Sequence, residues 1–237
     1  MKILAVECSA GPASAAVAED GRLLSSAFIN VKITHSQTLL SLVKSVLDTA
    51  MLKVSDIDAF AIAAGPGSFT GVRIGISLIK GLAEAENKPC YSVSSLRAMA
   101  ENIHDDGAVI NAVMDARCGQ FYNALFIRKE GKLERLTEDS ALMFEDILNN
   151  LADFTAKGHK VITVGDGAEL FVSRTDGAKN ILLAPERMRY QNAASVALSA
   201  YIDKETCPPI SADKLLPVYL RLPQAERELK AKQEESK

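Results

Sequence analysis

The chain is short of the residues that carry most enzyme chemistry. It holds three histidines, His35, His104 and His159, and no two stand four residues apart. Without a His-Glu-x-x-His pair a zincin is excluded. The four cysteines, Cys8, Cys90, Cys118 and Cys207, are widely spaced with no Cys-x-x-Cys. That argues against a zinc site or a disulfide framework, and reduced thiols are the default. No Gly-x-Ser-x-Gly elbow occurs. No run of ~18 apolar residues occurs either, so no membrane span is expected. The start, Met1 to Glu7, is a short apolar run broken by an acid, which reads as a strand and not as a signal peptide. An excess of one charge is lacking too. A formal net charge of −3 leaves no global footprint for nucleic acid. A cytoplasmic protein without a metal site is the expectation.

What is present is a large apolar fraction, 48 % of 237 residues, enough for one large domain or two lobes. The chain is organised around Gly65-Pro66-Gly67-Ser68-Phe69-Thr70-Gly71-Val72-Arg73-Ile74-Gly75-Ile76. This stretch follows an apolar run, Ile57 to Ala64, that reads as a buried strand. It opens an apolar helix over about Thr70 to Glu84, with Ser68 or Thr70 as cap. It is not a P-loop, because no Gly-Lys-Ser/Thr follows in register. Nor is it a dinucleotide fingerprint, because Thr70 stands where the third glycine belongs. At roughly 100° per residue, Arg73, Ser77, Lys80 and Glu84 make one narrow polar stripe. The rest is apolar or glycine over roughly 220°, wider than the stripe of an ordinary surface helix. The helix is therefore expected to be covered on two sides, by its own sheet and by a second lobe or chain. Gly71, Gly75 and Gly81 each cost roughly 0.5–1 kcal/mol inside a helix. Either a second backbone comes close at Gly71 and Gly75, or the glycines let the helix lie on its own sheet.

Taken in order, Ile3 to Cys8 and Ala13 to Glu19 read as strands. Asp20-Gly21 is a hairpin turn, and Arg22 to Asn30 returns as a third strand. Thr34-x-x-Gln37 spells a capping box. It opens a helix to about Met51 that carries Leu39, Leu42, Val43 and Val46. Cys90 to Val93 is a short strand, and a helix runs from Ser94 or Ser95 to about His104. The pattern then restarts. Ala108 to Met114 is a strand ending in Asp115, Phe121 to Arg128 the next, Glu130-Gly131 its turn, and Leu133 to Thr137 the third. A helix over Ala141 to Leu151, a strand over Val161 to Val164 and a helix over Gln191 to Ile202 follow. Two βββαβα units predict a two-lobed actin-like ATPase fold, of the ASKHA and RNase H-like class. The lobes would span 1–105 and 106–223. Residues 224–237 alternate Glu, Arg and Lys, and read as a charged tail, solvated helix or disordered.

In that class, acids at the ends of the first strands face a nucleotide cleft. Glu7, Ser9, Asp115 and Arg117 are the candidates here. Cys8 and Pro12 do not suit a phosphate loop, so the cleft is expected to be vestigial. The bland alternative is that Glu7 and Asp115 end strands and bond to turn amides. An ATP-dependent kinase or hydrolase using Glu7, Ser9 and Asp115 is the competing reading.

The glycine stretch, with Lys80-Gly81-Leu82-Ala83 after it, closely resembles the TsaB (YeaZ) family. So do Ile3 to Ser9, His35 with Leu39-Leu40, Asp56-Ile57-Asp58, Asp115-Ala116-Arg117 with Tyr122, and Pro217-Val218-Tyr219-Leu220-Arg221. The match runs from residue 2 to about 222. It departs from the family pattern at Glu7 and Cys8, where Asp and Thr are commoner. The resemblance implies a noncatalytic scaffold, a paralogue of the catalytic subunit TsaD. Together with TsaD and the ATPase TsaE it would make threonylcarbamoyladenosine in tRNAs that read codons beginning with adenine. TsaC would supply the activated threonylcarbamoyl group. The chain would need no cofactor of its own, ATP acting through its partners. It would meet TsaD through helices of the first lobe and pair with itself when alone. Candidate interface residues are His35, Leu39, Leu42, Val43, Val46, Gly71, Val72, Gly75, Ile76 and Ile79.

Overall fold

A computed structural model describes residues 1–175 and 177–221. The first half runs β1 (Lys2–Glu7), β2 (Ala13–Glu19), β3 (Arg22–Ile29), α1 (His35–Thr49), β4 (Ala59–Gly65), α2 (Phe69–Glu86), β5 (Cys90–Ser94) and α3 (Ser95–Glu101). The second runs β6 (Val109–Asp115), β7 (Gln120–Lys129), β8 (Lys132–Arg135), β9 (Ser140–Met143), α4 (Phe144–Ala156), β10 (Val161–Val164), α5 (Ala168–Ser173), β11 (Ile181–Leu183), α6 (Glu186–Arg189) and α7 (Ala193–Ile202).

The halves repeat in sheet topology. One sheet has the order β3-β2-β1-β4-β5 and the other β11-β10-β6-β7-β8, with β9 also paired to β7. In each, the first strand is antiparallel to the second and parallel to the strand after the first helix. Both hairpin turns use the same left-handed pair, Asp20-Gly21 (φ 48° and 78°) and Glu130-Gly131 (φ 50° and 74°). The inner parallel strands also end alike, at Gly65 (φ 123°) and Gly165 (φ 117°). This is the two-lobed actin-like fold.

Three local expectations are corrected. Thr34 precedes α1, but its side chain caps nothing, so the capping box does not form. Ala141 to Met143 are strand, because β7 offers them a ladder from Gln120 to Tyr122, and α4 starts only at Phe144. The helix opened by Ser95 ends at Glu101. The packing also crosses the division at 105/106. A sheet with two apolar faces must be covered on both, and each lobe takes one cover from the other half of the chain. α1 and α2 cover one face of the first sheet, while Ala193, Val196, Ala197 and Ala200 of α7 cover the other against Ile3, Ala5, Ala16 and Ala18. Leu96, Met99 and Ala100 of α3 pack on the second sheet against Ile110, Ala112 and Phe126. Residues 224–237, read as a tail, lie outside the described residues.

The seam between halves is polar. Arg97 and Glu101 of α3 pair, Glu101 also meets Arg128 of β7 at 3.0 Å, and Arg97 meets Asp203 beyond α7 at 3.1 Å. Asn102 completes it, donating to the carbonyls of Met188 and Tyr190 and accepting from Asn192 and Ser195.

α2 lies on its own sheet through its glycines. A Cβ at Gly71 would stand 2.1 Å from the Cys8 carbonyl oxygen, and one at Gly75 would stand 2.6 Å from Cys8 Sγ and 2.7 Å from Ile62 Cδ1. A Cβ at Gly81 would meet nothing within 4 Å. The three helix glycines thus divide by neighbour. Gly71→Ala must push on rigid backbone and is expected to cost about 2 kcal/mol or more. Gly75→Ala presses on two side chains and is expected to cost less. Gly81→Ala is expected to stabilise by roughly 0.5–1 kcal/mol. Urea unfolding midpoints of the three variants check the order.

Candidate functional site

A cleft of about 610 Å³ lies between the lobes, with the strand-end acid Asp115 facing it and Glu7 buried behind the Ser9 turn. Ser9, Ser68 and Thr70 line its first-lobe side, and Asp115, Arg117 and Asp166 line the second. The turns after the acids repeat one another. The Ser9 N–H donates to Glu7 Oε1 at 2.5 Å, and the Arg117 N–H donates to Asp115 Oδ1 at 2.7 Å. Each acid accepts an amide two residues on and so fixes its own turn. Glu7 is fully buried, while Asp115 is exposed to the cleft.

The loop before α2 closes against the same turn. Ser68 N–H donates to the Ser9 carbonyl at 2.7 Å, and a Cβ at Gly67 would stand 2.3 Å from that oxygen. Ser68 Oγ caps α2 by accepting from Gly71 N–H. His35 is half-buried and its Nε2 donates to the Ala10 carbonyl at 2.8 Å. Cys8 donates its thiol to the Gly71 carbonyl, and burial pushes its pKa far up, so it is no nucleophile.

Two acids on this floor are held near neutrality. Burial raises Glu7 to about 7; the neighbouring Ser9 pulls it partly back, and the charge of Asp166 adds to the rise. Asp166 keeps an edge open to the cleft, yet the protein around it raises it to about 6. Gln191 Nε2, donating to Asp166 Oδ1 at 2.6 Å, offsets this in part, and Asp115 adds repulsion. Glu7 Oε2 and Ser9 Oγ are buried with no hydrogen-bond partner among the described residues. Among those residues no group of three or more His, Cys, Asp or Glu side chains is arranged to hold a metal ion.

The structure therefore brings Ser9, Asp115 and Arg117 to one cleft and buries Glu7 behind the Ser9 turn. Sequence reasoning missed Asp166. The signal was the Gly165-Asp166-Gly167 turn, which occupies the place of Gly65-Pro66-Gly67 in the other half. Arg73 was read only as part of a polar stripe. It lies in the cleft wall, with its Nε donating to Tyr219 Oη at 2.6 Å.

The proposed interface residues are placed otherwise than as an open partner face. Leu39, Leu42, Val43, Val46, Val72, Ile76 and Ile79 are buried in the core of the first lobe, and Gly71 and Gly75 lie against Cys8. The wide apolar arcs of α1 and α2 are filled mostly by their own sheet and by each other. What remains open is different. Val31 and Ile33, each about half exposed (53 % and 50 %), flank a groove that Ile74 of α2 also lines. Leu40 of α1 is exposed, and Leu78, one turn beyond Ile74, is partly so.

Folded Glu7 keeps its proton to about pH 7, whereas an unfolded glutamate loses it near pH ~4. Between those values the folded state binds more protons, so this stabilisation is present in acid and lost as pH rises from ~4 to ~7. Asp166 acts with the same sign up to about 6. Glu7→Gln is expected to gain roughly 3 kcal/mol over the native chain at pH 8 and almost nothing at pH 4. Urea midpoints at the two pH values check it.

Comparison with known proteins agrees with this fold. The family model described as TsaD, tRNA N6-adenosine threonylcarbamoyltransferase, matches residues 25–215. The tRNA threonylcarbamoyladenosine biosynthesis protein TsaB of Bacillus subtilis (strain 168) is 31% identical over 229 residues, 95% of this chain and 96% of its own. A tRNA N6-adenosine threonylcarbamoyltransferase of Kosmotoga olearia is 37% identical over 111 residues, 40% of this chain and 34% of that enzyme. Among solved structures, YeaZ from Pseudomonas aeruginosa superposes with a TM-score of 0.79 at 27% identity, covering 92% of this chain and 99% of that one. With full-length likeness in sequence and in fold, the chain belongs to the TsaB family.

Proposed function

We propose that this protein is a noncatalytic subunit in the synthesis of threonylcarbamoyladenosine on tRNA, which binds and activates the transferase TsaD. Membership of the TsaB family carries this reading, and three features support it. The strand-end acids that an actin-like ATPase would turn toward metal and phosphate are spent here on their own turn amides. The Ser9 turn is pressed by Gly67 and Ser68, which leaves little room for a phosphate loop. The first lobe carries an open apolar groove at Val31, Ile33 and Ile74. Because the chain and the transferase are related in sequence, the partner would present a similar lobe, and like faces of related chains pair readily about a two-fold axis. The same face would serve a homodimer when the chain is alone. TsaE joins the complex and TsaC supplies the activated group. ATP is used through those partners and this chain needs no cofactor. The tRNA is the substrate of the assembled complex, which works in the cytoplasm. No observation favours the kinase or hydrolase reading.

The test is light scattering on a sizing column with purified TsaD. A stable mixed complex is expected. Ile74→Asp is expected to weaken it by about 2 kcal/mol or more, roughly thirty-fold in Kd, with the fold intact. Gly75→Leu is unsuitable as an interface variant, since it strikes Cys8 and Ile62 inside the lobe. A chain that runs only as itself beside folded TsaD, and hydrolyses ATP in a way that Asp115→Ala abolishes, overturns the proposal.

A further inference from the structure

The segment Pro217-Val218-Tyr219-Leu220-Arg221 has no part in the scaffold reading, yet it makes specific contacts on both sides of the cleft. It arrives along the first lobe. Cys90 and Ile210 exchange backbone hydrogen bonds at 2.7 and 2.8 Å, Lys80 Nζ donates to the Asp213 carbonyl at 3.1 Å, and Leu215 is buried in that lobe's core. Val218 N–H then donates to the Ala64 carbonyl at 2.8 Å. The end of β4 is shaped to admit it, since a Cβ at Gly65 would stand 2.4 Å from the Val218 oxygen. Tyr219 stacks on Phe69, the first residue of α2, with ring centroids 4.6 Å apart. Its hydroxyl oxygen accepts from Arg73.

Within two more residues the chain is bonded to the other lobe. Leu220 packs against the core cluster that Met114, Tyr122 and Phe126 belong to. Arg221 Nη1 donates to the carbonyls of Ala116 and Arg117, the latter at 3.0 Å. These are charge-assisted bonds to the turn that Asp115 fixes. The lobes are also joined where α3 and α7 pack on each other and cross between the sheets, where Ser94 Oγ donates to Asp139 Oδ2 at 2.5 Å, and where Ala10 packs against the second lobe's core. Two bodies joined along one line can rotate about it, and this is how domain closure usually proceeds. A hydrogen-bonded tie away from that line, at the cleft wall, restrains that rotation.

We propose that residues 217–221 are a clasp that holds the two lobes at a fixed aperture across the cleft. Opening then requires either that Tyr219 leave Phe69 and Arg73 or that Leu220 and Arg221 leave the second lobe. Val218 and Tyr219 are partly exposed, at 44 % and 37 %, so the clasp can be released without unfolding either core. The proposal stands on these contacts alone and not on the scaffold reading.

Amide hydrogen exchange of the full chain tests it, with Arg221→Ala, Tyr219→Ala and the conservative Tyr219→Phe beside the native protein. Arg221→Ala is expected to speed exchange about ten-fold or more at 115–120. The same acceleration is expected at 64–70, and at the crossovers 95–103 and 188–193, where the mutated side chain makes no contact. β1 and β6 stay protected. Tyr219→Phe keeps the stack and is expected to give a smaller rise in the same peptides. Acceleration confined to the peptides that touch the altered side chain, or none at all, overturns the proposal and leaves the segment a local anchor. If Tyr219→Ala exposes β1 and β6 as well, that variant has unfolded, and the other two decide.

Discussion

One close approach governs the first lobe: α2 lies with its backbone against the end of β1. Gly71 meets the Cys8 carbonyl and Gly67 meets the Ser9 carbonyl, both nearer than any Cβ allows. That contact sets where α2 begins, and with it where Phe69 and Arg73 stand in the cleft wall. It also presses on the Ser9 turn, so the site where the fold would seat a phosphate is narrowed by the helix itself. α1, β4 and the 217–221 segment are all positioned relative to this pair. The glycines are therefore a condition of the fold, and the open apolar groove lies beside them, at Val31, Ile33 and Ile74.

The second lobe shows what the same plan becomes under a different constraint. Its turn Gly165-Asp166-Gly167 corresponds to Gly65-Pro66-Gly67. Gly165 abuts the Val113 carbonyl and Gly167 abuts the Asp115 backbone, as Gly65 abuts Val218 and Gly67 abuts Ser9. Where one half has Pro66, the other has an acid. Asp166 thus brings a charge to the floor on which Glu7 is already buried, and neither group ionises as freely as it would in water. The fold has in this way made Glu7 and Asp166 weak acids and tied its two strand-end acids, Glu7 and Asp115, to their own turns.

Much of this was legible in the sequence. Apolar runs bounded by Asp20-Gly21 and Glu130-Gly131 gave strands and turns, because a left-handed turn pair tolerates few residues. The duplication was legible for the same reason. The side of α2 that carries Gly71 and Gly75 was not, since a wide apolar arc is the same whether a sheet, a neighbouring helix or another protein fills it. β9 was read as helix because three residues of Ala141-Leu142-Met143 suit a helix well, and only the free edge of β7 makes them strand. Asp166 escaped because its neighbours in space, Glu7 and Gln191, are far from it in the chain. The helix exchange escaped on the same ground, for nothing local tells α7 which sheet it will cover.

That exchange bears on how the protein is made. During synthesis the first sheet is complete once residue 94 has emerged, but its second face stays bare until α7, some hundred residues later, can dock. Ile3, Ala5, Ala16 and Ala18 then offer water an apolar surface for the whole interval, several seconds at ~5–20 residues per second. The nascent first lobe is thus a natural client for a holding chaperone, and a fragment ending near residue 105 is an aggregation hazard.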